Sequence, residues 1–596
     1  MSCRDIPRRH LAFTRLLYLS VMPARSDDAR SSRSPVSRRQ VLAAGGTGLL
    51  AATASASRAA ARTRKARAAG DGTPEQIHLT WGENPATSVV ISWASPEPAA
   101  RPRARIGQRV IPAELRQYTD GISGETVWAY HARVGGLRPG ATYAYTVTAD
   151  NDDNAVDPFT ATFRTAPHGR AAFRFTLDLA TPNTAWVLSY GQSAYAVDAV
   201  ESFQPLFHLL NGDLCYADLN PTVQPEVWRD FGNNNQTSAA YRPWMPCLGN
   251  HEVEFDNGTQ GFTSYLARYT LPDNHVPGFG GRWYSFRIGS VLFVSLDADD
   301  VVYQDAGAFV TGPGALTPVA GTGHPAIEPG TSFCIQGYSD GAQTAWLERT
   351  LAAGRGDPSV DWIIVQMHQC ACSSSATGNG SDLGIRQQWL PLFDRYQVDL
   401  VLNGHDHDYE RSFPVRGADA DLGHDAATGA MVNTLRPHPV TTTDSGVFDT
   451  SRGTVYLILG CGGTDTNLDD YGLDAAAGSS IPGGSPPRTP PGQAKVFTHA
   501  NRPVPTVTPD VYTRDGADAV EDAIWSARRD TSTGYGIAVF DVHPDPEDFG
   551  GQTSITVTQY HAVGADPVNP ATGDKGAPTP DYTEFETFTL VRPRRG

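Results

Sequence analysis

Lysine is nearly absent from this chain: only three of its 596 residues are lysines, so arginine supplies almost all of the positive charge. Such a bias is typical of proteins encoded by GC-rich bacterial genomes. The chain has 47 basic and 64 acidic residues. Of the basic residues, 14 lie before residue 70, where only three acidic residues occur. The rest of the chain therefore carries a formal net charge of −28, which favours solubility and disfavours nucleic acid as a partner.

No apolar stretch near the amino terminus is long enough to indicate a membrane span. The segment 41–56 is short and contains glycine, whereas a spanning helix needs about 20 apolar residues. It follows Arg38 and Arg39, a pattern that resembles a twin-arginine export signal. We expect residues 1–69 to be a removable leader of a protein exported to the periplasm, cell envelope or medium without a membrane anchor. A disordered basic leader is the competing interpretation.

Cysteine is scarce as well, with seven residues, of which six remain after loss of the leader. An even number is compatible with disulfides outside the cytoplasm. Cys215 and Cys247 follow neighbouring predicted strands and are a candidate pair. For Cys370 and Cys372, a thiolate metal role and a structural role that includes pairing with the cysteines at 334 and 461 both stay open.

What the chain does contain is a series of five short apolar runs that each end in potential metal ligands. The runs are consistent with strands buried on both faces, and segments with helical spacing at 185–203, 343–353 and 385–396 lie between them. Strands that alternate with helices predict a largely parallel layered sheet, with all polar tips beyond the carboxyl ends. In chain order the runs and their ends are 173–177 with Asp178, 206–210 with Asp213 and Tyr216, 245–248 with Asn250 and His251, 361–367 with His368, and 398–404 with His405 and His407.

These residue types suit one kind of chemistry. Carboxylate and imidazole ligands bind first-row metals, and a carboxylate can bridge two of them. Two metals roughly 3.5 to 4 Å apart can clamp the attacking and leaving oxygens of a displacement at phosphorus. Each motif alone has a structural explanation, such as a turn with solvated imidazoles at 404–407 or a strand end at 249–251. Their joint occurrence in this order favours a two-metal phosphoester hydrolase.

With these motifs the chain resembles the purple acid phosphatases, a branch of the calcineurin-like metallophosphoesterases. Many metallophosphoesterases carry Asp-x-His at the first motif, but the third position here is Ala180. Purple acid phosphatases instead have a tyrosine three residues after the bridging aspartate, and Asp213-Leu-Cys-Tyr216 has that spacing. The run Asp408-Tyr-Glu-Arg411 is also similar to the family.

The resemblance implies a ligand set and a cofactor. A phenolate donor favours Fe(III) in the first site, and Fe(II), Zn(II) or Mn(II) is expected in the second. In the family's mechanism a hydroxide activated by the metals attacks phosphorus in line, and His251 helps the leaving oxygen to take up a proton. Orienting Asn250 is an alternative role for His251. The implied ligands are Asp178, Asp213, Tyr216 and His407 for the first metal, and Asp213 as the bridge, Asn250, His368 and His405 for the second.

Two departures from the family pattern bear on this site. The family usually has glycine before the first aspartate, whereas this chain has Leu177 in a segment that looks short. A shifted Asp178 would weaken the first metal site. Plant-type members place substrate-contacting histidines shortly after the fourth motif, but 369–375 contains none. Gln369 or the serines at 373–375 are the candidates for such contacts.

Ahead of these motifs, residues 76–164 contain short alternating runs separated by proline, glycine and aspartate. This spacing predicts a small antiparallel sandwich, and Gly136-Leu-Arg-Pro-Gly140 resembles fibronectin type III domains. We expect an all-β supporting domain at 72–167 and an α/β metallophosphoesterase domain of layered sheets flanked by helices at 170–596. Residues 413–450 and 465–530 are predicted surface excursions, and 535–540 and 554–559 are predicted strands of a second sheet.

The sequence thus predicts an exported acid phosphatase that hydrolyses small phosphate monoesters. A phosphodiesterase or nucleotidase on the same centre is one alternative. A secreted, non-catalytic binding protein on a decayed phosphatase scaffold is another, with Leu177 as its first sign. The intact later motifs argue against decay, because drift would have removed several of them.

Overall fold

A computed structural model of the protein describes fifteen segments of the chain: 72–150, 157–178, 193–254, 256–304, 316–318, 325–327, 335–375, 379–460, 493–499, 502–503, 512–513, 518–530, 536–545, 550–561 and 582–595. The predicted leader lies outside these residues. Within them, no helix has both the length and the apolar character needed to cross a membrane.

The amino-terminal part of the described chain is a sandwich of antiparallel strands. Its two four-stranded sheets have the orders β1-β2-β6-β5 and β4-β3-β7-β8. Buried side chains from both sheets, among them Trp93, Tyr130 and Tyr145, fill the space between them. This confirms the predicted sandwich, and its aromatic residues are core. The strands are β1 (Glu75–Trp81), β2 (Val89–Ser95), β3 (Ala100–Ile106), β4 (Arg109–Pro112), β5 (Glu114–Thr119), β6 (Thr126–Val134), β7 (Thr142–Asp150) and β8 (Phe159–Arg164).

The remainder is a layered α/β domain, as predicted. Its described helices are α1 (Ser193–Phe203), α2 (Gln224–Ala239), α3 (Thr263–Arg268), α4 (Ala342–Gly356), α5 (Leu383–Gln388) and α6 (Leu390–Arg395). Its strands up to the last motif are β9 (Phe173–Asp178), β10 (Phe207–Leu210), β11 (Trp244–Pro246), β12 (Tyr284–Ile288), β13 (Val291–Ser295), β14 (Leu316–Pro318), β15 (Pro325–Ile327), β16 (Trp362–Gln366), β17 (Ser381–Asp382) and β18 (Leu400–Asn403).

Further strands follow the last motif. They are β19 (Tyr409–Ser412), β20 (Val415–Asp419), β21 (Gly423–Asp425), β22 (Met431–Val432), β23 (Arg436–Pro439), β24 (Val447–Asp449), β25 (Val455–Leu459), β26 (Gln493–Phe497), β27 (Arg502–Pro503), β28 (Tyr512–Thr513), β29 (Ala519–Asp522), β30 (Ser526–Asp530), β31 (Gly536–His543), β32 (Gln552–His561) and β33 (Thr583–Pro593).

Two seven-stranded sheets carry the predicted motifs. The first has the order β11-β10-β9-β31-β32-β33-β24 and the second the order β12-β13-β16-β18-β25-β19-β30. Strands β9, β10 and β11 run parallel in the first sheet, and β13, β16, β18 and β25 run parallel in the second. The parallel strands are thus divided between two layers, so the polar tips come from both sheets.

Phenylalanines join the two sheets. Phe175 stacks on Phe540 at 4.4 Å and on Phe207 at 5.3 Å within the first sheet. The ring of Phe293 in the second sheet meets Phe175 and Phe207 edge-on, at 5.2 Å from each. Edge-to-face and offset-stacked contacts of this kind add to the apolar area that each ring buries. The carboxyl ends of both sets of parallel strands are therefore held at one side of a rigid core.

A buried polar network connects the sandwich to the segment that follows His251. The guanidinium of Arg268 lies 5.3 Å from the ring centre of Tyr118 and 5.0 Å from that of Trp228, and it donates to the Tyr118 hydroxyl at 2.6 Å. Asn257 donates to Glu254 and to Asp120 of the sandwich, each at 2.8 Å. Burial raises the pKa of Glu254 to about 8. Through these contacts the sandwich can play its expected supporting role, because they attach it to the segment that follows His251.

Several expectations for the layered domain are corrected. The predicted helix at 385–396 is two helices, α5 and α6, because Pro391 in the first turn of α6 has no N–H to continue the hydrogen-bond ladder. The excursion 413–450 contains strands β20 to β24, of which β24 joins the first sheet beside β33. The strands near 535–540 and 554–559 belong to that same sheet, since β31 pairs with β9. Residues 185–192 lie outside the described chain.

We predict that Arg268→Met lowers the free energy of unfolding by about 3 kcal/mol, because the substitution leaves buried polar partners without the charge that faces them. Urea unfolding followed by tryptophan fluorescence measures the change. Arg349, which is exposed on α4, provides the matched control, and Arg349→Met should change stability by less than about 0.5 kcal/mol. Equal effects of the two substitutions would contradict a special role for the buried network.

Candidate metal centre

The predicted ligands lie where the two sheets present their carboxyl ends. Asp178 is the last residue of β9, Asp213 follows β10, and Asn250 follows β11 as the first residue of a helical turn, Asn250–Glu252. His368 follows β16 and His405 follows β18, both in the second sheet. All five are buried.

Asp213, His368 and His405 come together most closely. One ligand atom from each lies within 4.8 Å of the other two. His368 Nε2 is 2.8 Å from Asp213 Oδ2 and 3.2 Å from His405 Nδ1. These three residues are the bridging ligand and two ligands of the predicted second site.

The outer partners of the two histidines determine which ring nitrogens carry hydrogen. His368 Nδ1 donates to the backbone carbonyl of Asn211 at 2.5 Å, so Nε2 is the nitrogen directed at Asp213. His405 Nε2 donates to Gln304 Oε1 at 3.2 Å, so its Nδ1 carries the lone pair in the neutral ring. A carboxylate oxygen and two ring nitrogens therefore face one another, and a metal ion could take the place of the proton between His368 and Asp213.

The predicted ligands of the first site are distributed differently. Tyr216 and His407 are in contact, with the hydroxyl 2.9 Å from Nε2. The Tyr216 ring also lies 4.3 Å from that of His251, whose backbone N–H donates to Asp213 Oδ1 at 2.9 Å. The backbone carbonyl of Asp178 accepts from the N–H of Asn211 at 3.2 Å.

His251 is paired with a carboxylate that the motifs do not include. Its Nδ1 lies 2.9 Å and 3.0 Å from the two oxygens of Asp218, so Nδ1 donates to that carboxylate. Burial lowers the pKa of His251, but the charge of Asp218, helped by that of Asp213, outweighs it and raises the pKa to about 10. A protonated His251 has the chemistry of a proton donor at neutral and acidic pH.

Charge balance inside the site follows from the same contacts. Burial alone would raise the pKa of Asp213, but His368 and His251 outweigh it and hold that pKa well below its usual range. Burial and the neighbouring His368 keep the pKa of His405 well below its usual value. The bridging position is thus held as a carboxylate and His405 as a neutral imidazole, the forms in which both bind metals.

The backbone is strained at three of the predicted ligands. Asp213, Tyr216 and His405 have φ values of 52°, 56° and 67°, a left-handed conformation that costs a non-glycine residue about 1–3 kcal/mol. A Cβ on Gly249 would lie 2.4 Å from Asp213 Oδ1, and one on Gly212 would lie 2.7 Å from His368 Nδ1. Only glycine permits the two sheets to bring their ligands this close.

Glu252 fixes the strained loop after β10. Its carboxylate accepts from the backbone N–H groups of Asp213 and Leu214, at 2.8 Å and 2.6 Å, and from that of Gly249 at 2.8 Å. One buried side chain therefore ties the end of β10 to the end of β11. These three bonds satisfy N–H groups that a buried turn would otherwise leave unpaired.

The donor set fits the metal that the sequence implies. Two of the predicted ligands also have a buried oxygen atom without a hydrogen-bond partner among the described residues: Asp178 Oδ2 and Asn250 Oδ1. Unpaired buried acceptors of this kind are costly unless a cation or donor reaches them.

The residue before Asp178 does not crowd the ligands. Leu177 is fully buried in the core and lies opposite Leu209 and Ala538 of the neighbouring strands. Side chains alternate along a strand, so Leu177 and Asp178 point to opposite faces of β9. The larger residue is accommodated by the core.

Gln369 is fully buried and donates to Asp299 at 2.5 Å, and the serines at 373–375 are buried as well. The expected pairing of Cys215 with Cys247 is wrong, since both are free thiols. Cys370 and Cys372 are also free and buried, and they are absent from the metal-ligating cluster found among the described residues. The cysteines at 334 and 461 lie outside those residues.

Sequence reasoning missed three residues that hold the ligands and His251. Asp218 and Gln304 have no motif of their own, and they reach the site only through the folded chain. His208 did have a signal, because a histidine inside the apolar run 206–210 requires a buried partner. The structure shows that partner to be Asp178, with Nε2 of His208 3.1 Å from Oδ1.

Comparisons with known proteins agree with this geometry. The model of the purple acid phosphatase N-terminal domain matches residues 74–165, and that of the calcineurin-like phosphoesterases matches residues 178–409. An uncharacterized protein of Mycobacterium tuberculosis is 38% identical over 538 residues, 87% of each chain. The Fe(3+)-Zn(2+) purple acid phosphatase 12 of Arabidopsis thaliana is 25% identical over 58% of this chain and 66% of its own.

Among solved structures, a purple acid phosphatase from yellow lupin (Lupinus luteus) seeds has a similar fold. The superposition has a TM-score of 0.54 and covers 88% of this chain and 75% of the lupin chain, at 15% sequence identity. At that identity the likeness concerns the fold alone.

We predict that His251→Ala lowers kcat by about 10²- to 10⁴-fold through loss of a proton donor. Asp218→Asn should lower kcat by about 10-fold, because Asp218 acts by holding and charging His251. Steady-state kinetics with an aryl phosphate measure both effects. In the His251→Ala background, Asp218→Asn should have little further effect.

The exposed pair of Asp273 and His275, with Nδ1 and Oδ2 3.5 Å apart, provides the matched control. Asp273→Asn should leave kcat unchanged. Full additivity of the His251 and Asp218 effects would show that the two side chains act separately.

Proposed function

The chain belongs to the purple acid phosphatases, a branch of the calcineurin-like metallophosphoesterases, and we propose that it hydrolyses phosphate monoesters at a dinuclear metal centre. One observation carries the proposal: a carboxylate oxygen and two imidazole nitrogens lie within 4.8 Å of one another, next to His251, which Asp218 holds in position. The carboxylate and the two imidazoles suit a metal, and His251 suits proton transfer to a leaving group.

The proposed second site consists of Asp213, Asn250, His368 and His405. Asp178, Tyr216 and His407 complete the first site around the shared Asp213. A phenolate oxygen favours Fe(III) there, and the imidazole-rich second site suits Fe(II), Zn(II) or Mn(II). Bound in this way, the metals supply Lewis acidity and an activated water molecule for displacement at phosphorus.

The protein's own groups perform the remaining steps. Asp218 holds His251 through Nδ1, so the ring presents Nε2 toward the leaving-group oxygen and donates a proton to it. Gln304 and the carbonyl of Asn211 prevent the rings of His405 and His368 from turning. Glu252 keeps the strained loop of Asp213 closed, and a preorganised site of this kind avoids reorganisation during the reaction.

The proposal extends to location and substrate size. Residues 1–69, which carry the twin-arginine pattern, lie outside the described chain, and we propose that they direct export of the folded protein. Twin-arginine export suits an enzyme that acquires its metals before it crosses the membrane. Small phosphorylated molecules are the proposed substrates, because the strongly acidic surface repels nucleic acid.

We expect the purified protein to hydrolyse p-nitrophenyl phosphate with a higher kcat/KM than bis(p-nitrophenyl) phosphate. Prolonged dialysis against a chelator should abolish both activities, and added Fe(II) or Zn(II) should restore them. A preference for the diester would favour a phosphodiesterase on the same centre. Absence of both activities in a protein that retains two metals per chain would favour the non-catalytic scaffold.

We also expect the iron-loaded protein to be coloured, through charge transfer from the phenolate of Tyr216 to Fe(III). Tyr216→Phe should remove the visible band and lower the iron content, as measured by absorption and plasma mass spectrometry. Tyr145→Phe is the control, since Tyr145 is equally buried but donates to the carbonyl of Ala240 in the sandwich interface. A band that survives in Tyr216→Phe would assign the iron to other ligands.

A further inference from the structure

His208 occupies an unusual position for a histidine. It lies in the middle of β10, is fully buried, and has both ring nitrogens in contact with neighbouring polar atoms. Nε2 is 3.1 Å from Asp178 Oδ1, and Nδ1 is 2.8 Å from Thr176 Oγ1. His208 itself belongs to none of the motifs described above, and Asp178 is the predicted ligand that it contacts among the described residues.

With Asp178 ionised, as a metal ligand must be, the hydrogen bonds of this group have one consistent arrangement. An ionised carboxylate only accepts, so His208 Nε2 carries hydrogen and donates to Asp178. In the neutral ring Nδ1 then accepts from the hydroxyl of Thr176. The polar atoms therefore form one chain, from the threonine hydroxyl through the imidazole to the aspartate.

Packing holds the ring in that orientation. Thr176, His208 and Trp244 lie side by side on β9, β10 and β11, in register across the sheet. The indole of Trp244 lies 4.5 Å from the imidazole. A side chain enclosed in this way cannot leave its rotamer without displacing a neighbouring strand.

Asp178 depends on this contact. It is the last residue of β9, and its side chain has no hydrogen-bond partner other than His208 among the described residues. Oδ2, the second oxygen, is buried and available for another partner. A carboxylate with one oxygen held by an imidazole and the other buried without a hydrogen-bond partner has the form of a supported metal ligand.

We propose that His208 is a positioning residue that holds Asp178 as a ligand of the first metal. The role rests on the proposed function, because it requires a metal at the first site. His208 compensates for what the first motif lacks in this chain, where neither a glycine before the aspartate nor a histidine two residues after it is present. The N–H that supports Asp178 comes from His208 on the neighbouring strand, β10.

The test compares metal retention in the wild type and three variants. His208→Phe removes both nitrogens and keeps an aromatic ring, His208→Gln keeps an N–H donor, and His131→Phe is the matched control. His131 is a buried histidine of the sandwich that contacts Ser92 Oγ and the carbonyl of Ala267, each at 2.9 Å. Metal content is measured by plasma mass spectrometry, and chelator-driven release of iron is followed through the visible band.

In His208→Phe we expect iron to be released about 10–100 times faster than from the wild type, the usual effect of removing an outer partner of a ligand. The metal held by His368 and His405 should be retained. His208→Gln should restore much of the iron affinity, and His131→Phe should release iron at the wild-type rate. A general loss of stability would not produce this selective pattern.

Two results would overturn the proposal. Iron release from His208→Phe at the wild-type rate would show that Asp178 is held without His208, while the proposed function would stand. A wild-type protein that binds no metal would overturn the proposed function and this role together. If His208→Phe does not fold, Thr176→Val replaces it, and it should release iron faster than wild type because the ring loses its second anchor. Unchanged release in Thr176→Val would then count against the proposal.

Discussion

Convergence of three potential metal ligands from two different sheets is the constraint on which this site depends. Asp213 Oδ2, His368 Nε2 and His405 Nδ1 lie against one another. The opposite nitrogens of both rings are bonded to Asn211 and Gln304, which fixes the orientation of the rings. Only the folded chain brings these three groups together, so a metal bound here would couple metal binding to folding.

That coupling explains why the surroundings of the site are so rigid. Left-handed backbone at Asp213 is held by Glu252 and by the close approach of the two glycines at 212 and 249. The phenylalanines between the sheets fix the distance from β10 to β13. On the outer side, the contacts of Arg268 and Asn257 connect the sandwich to the segment beyond His251. A strained loop needs support of this kind both from the core and from the outer side.

Reading along the sequence finds candidate ligands more readily than it finds the arrangement of the sheets. Residue types at strand ends are a local property, so motifs such as Asp213 with Tyr216 could be found by reading along the chain. The division of the parallel strands into two sheets could not, because it depends on which apolar faces pack together. Pairing of β31 with β9 is likewise a long-range contact with no local signal. Asp218 and Gln304 can be recognised as partners only once distant segments meet in the folded chain. His208 could be recognised from the sequence, because it is a polar residue in an apolar run.

The proposed role of His251 would distinguish an enzyme from a protein that merely holds a metal. A metal-binding scaffold would need the converging ligands and their outer partners, and those account for Gln304, Asn211 and Glu252. It would not need a histidine whose Nδ1 is held by the two oxygens of Asp218. Burying that carboxylate is costly unless it is paired, and its partner is a side chain with no ligand role in the predicted set. Such a pair beside the ligand cluster therefore favours the proposed catalytic function over binding alone.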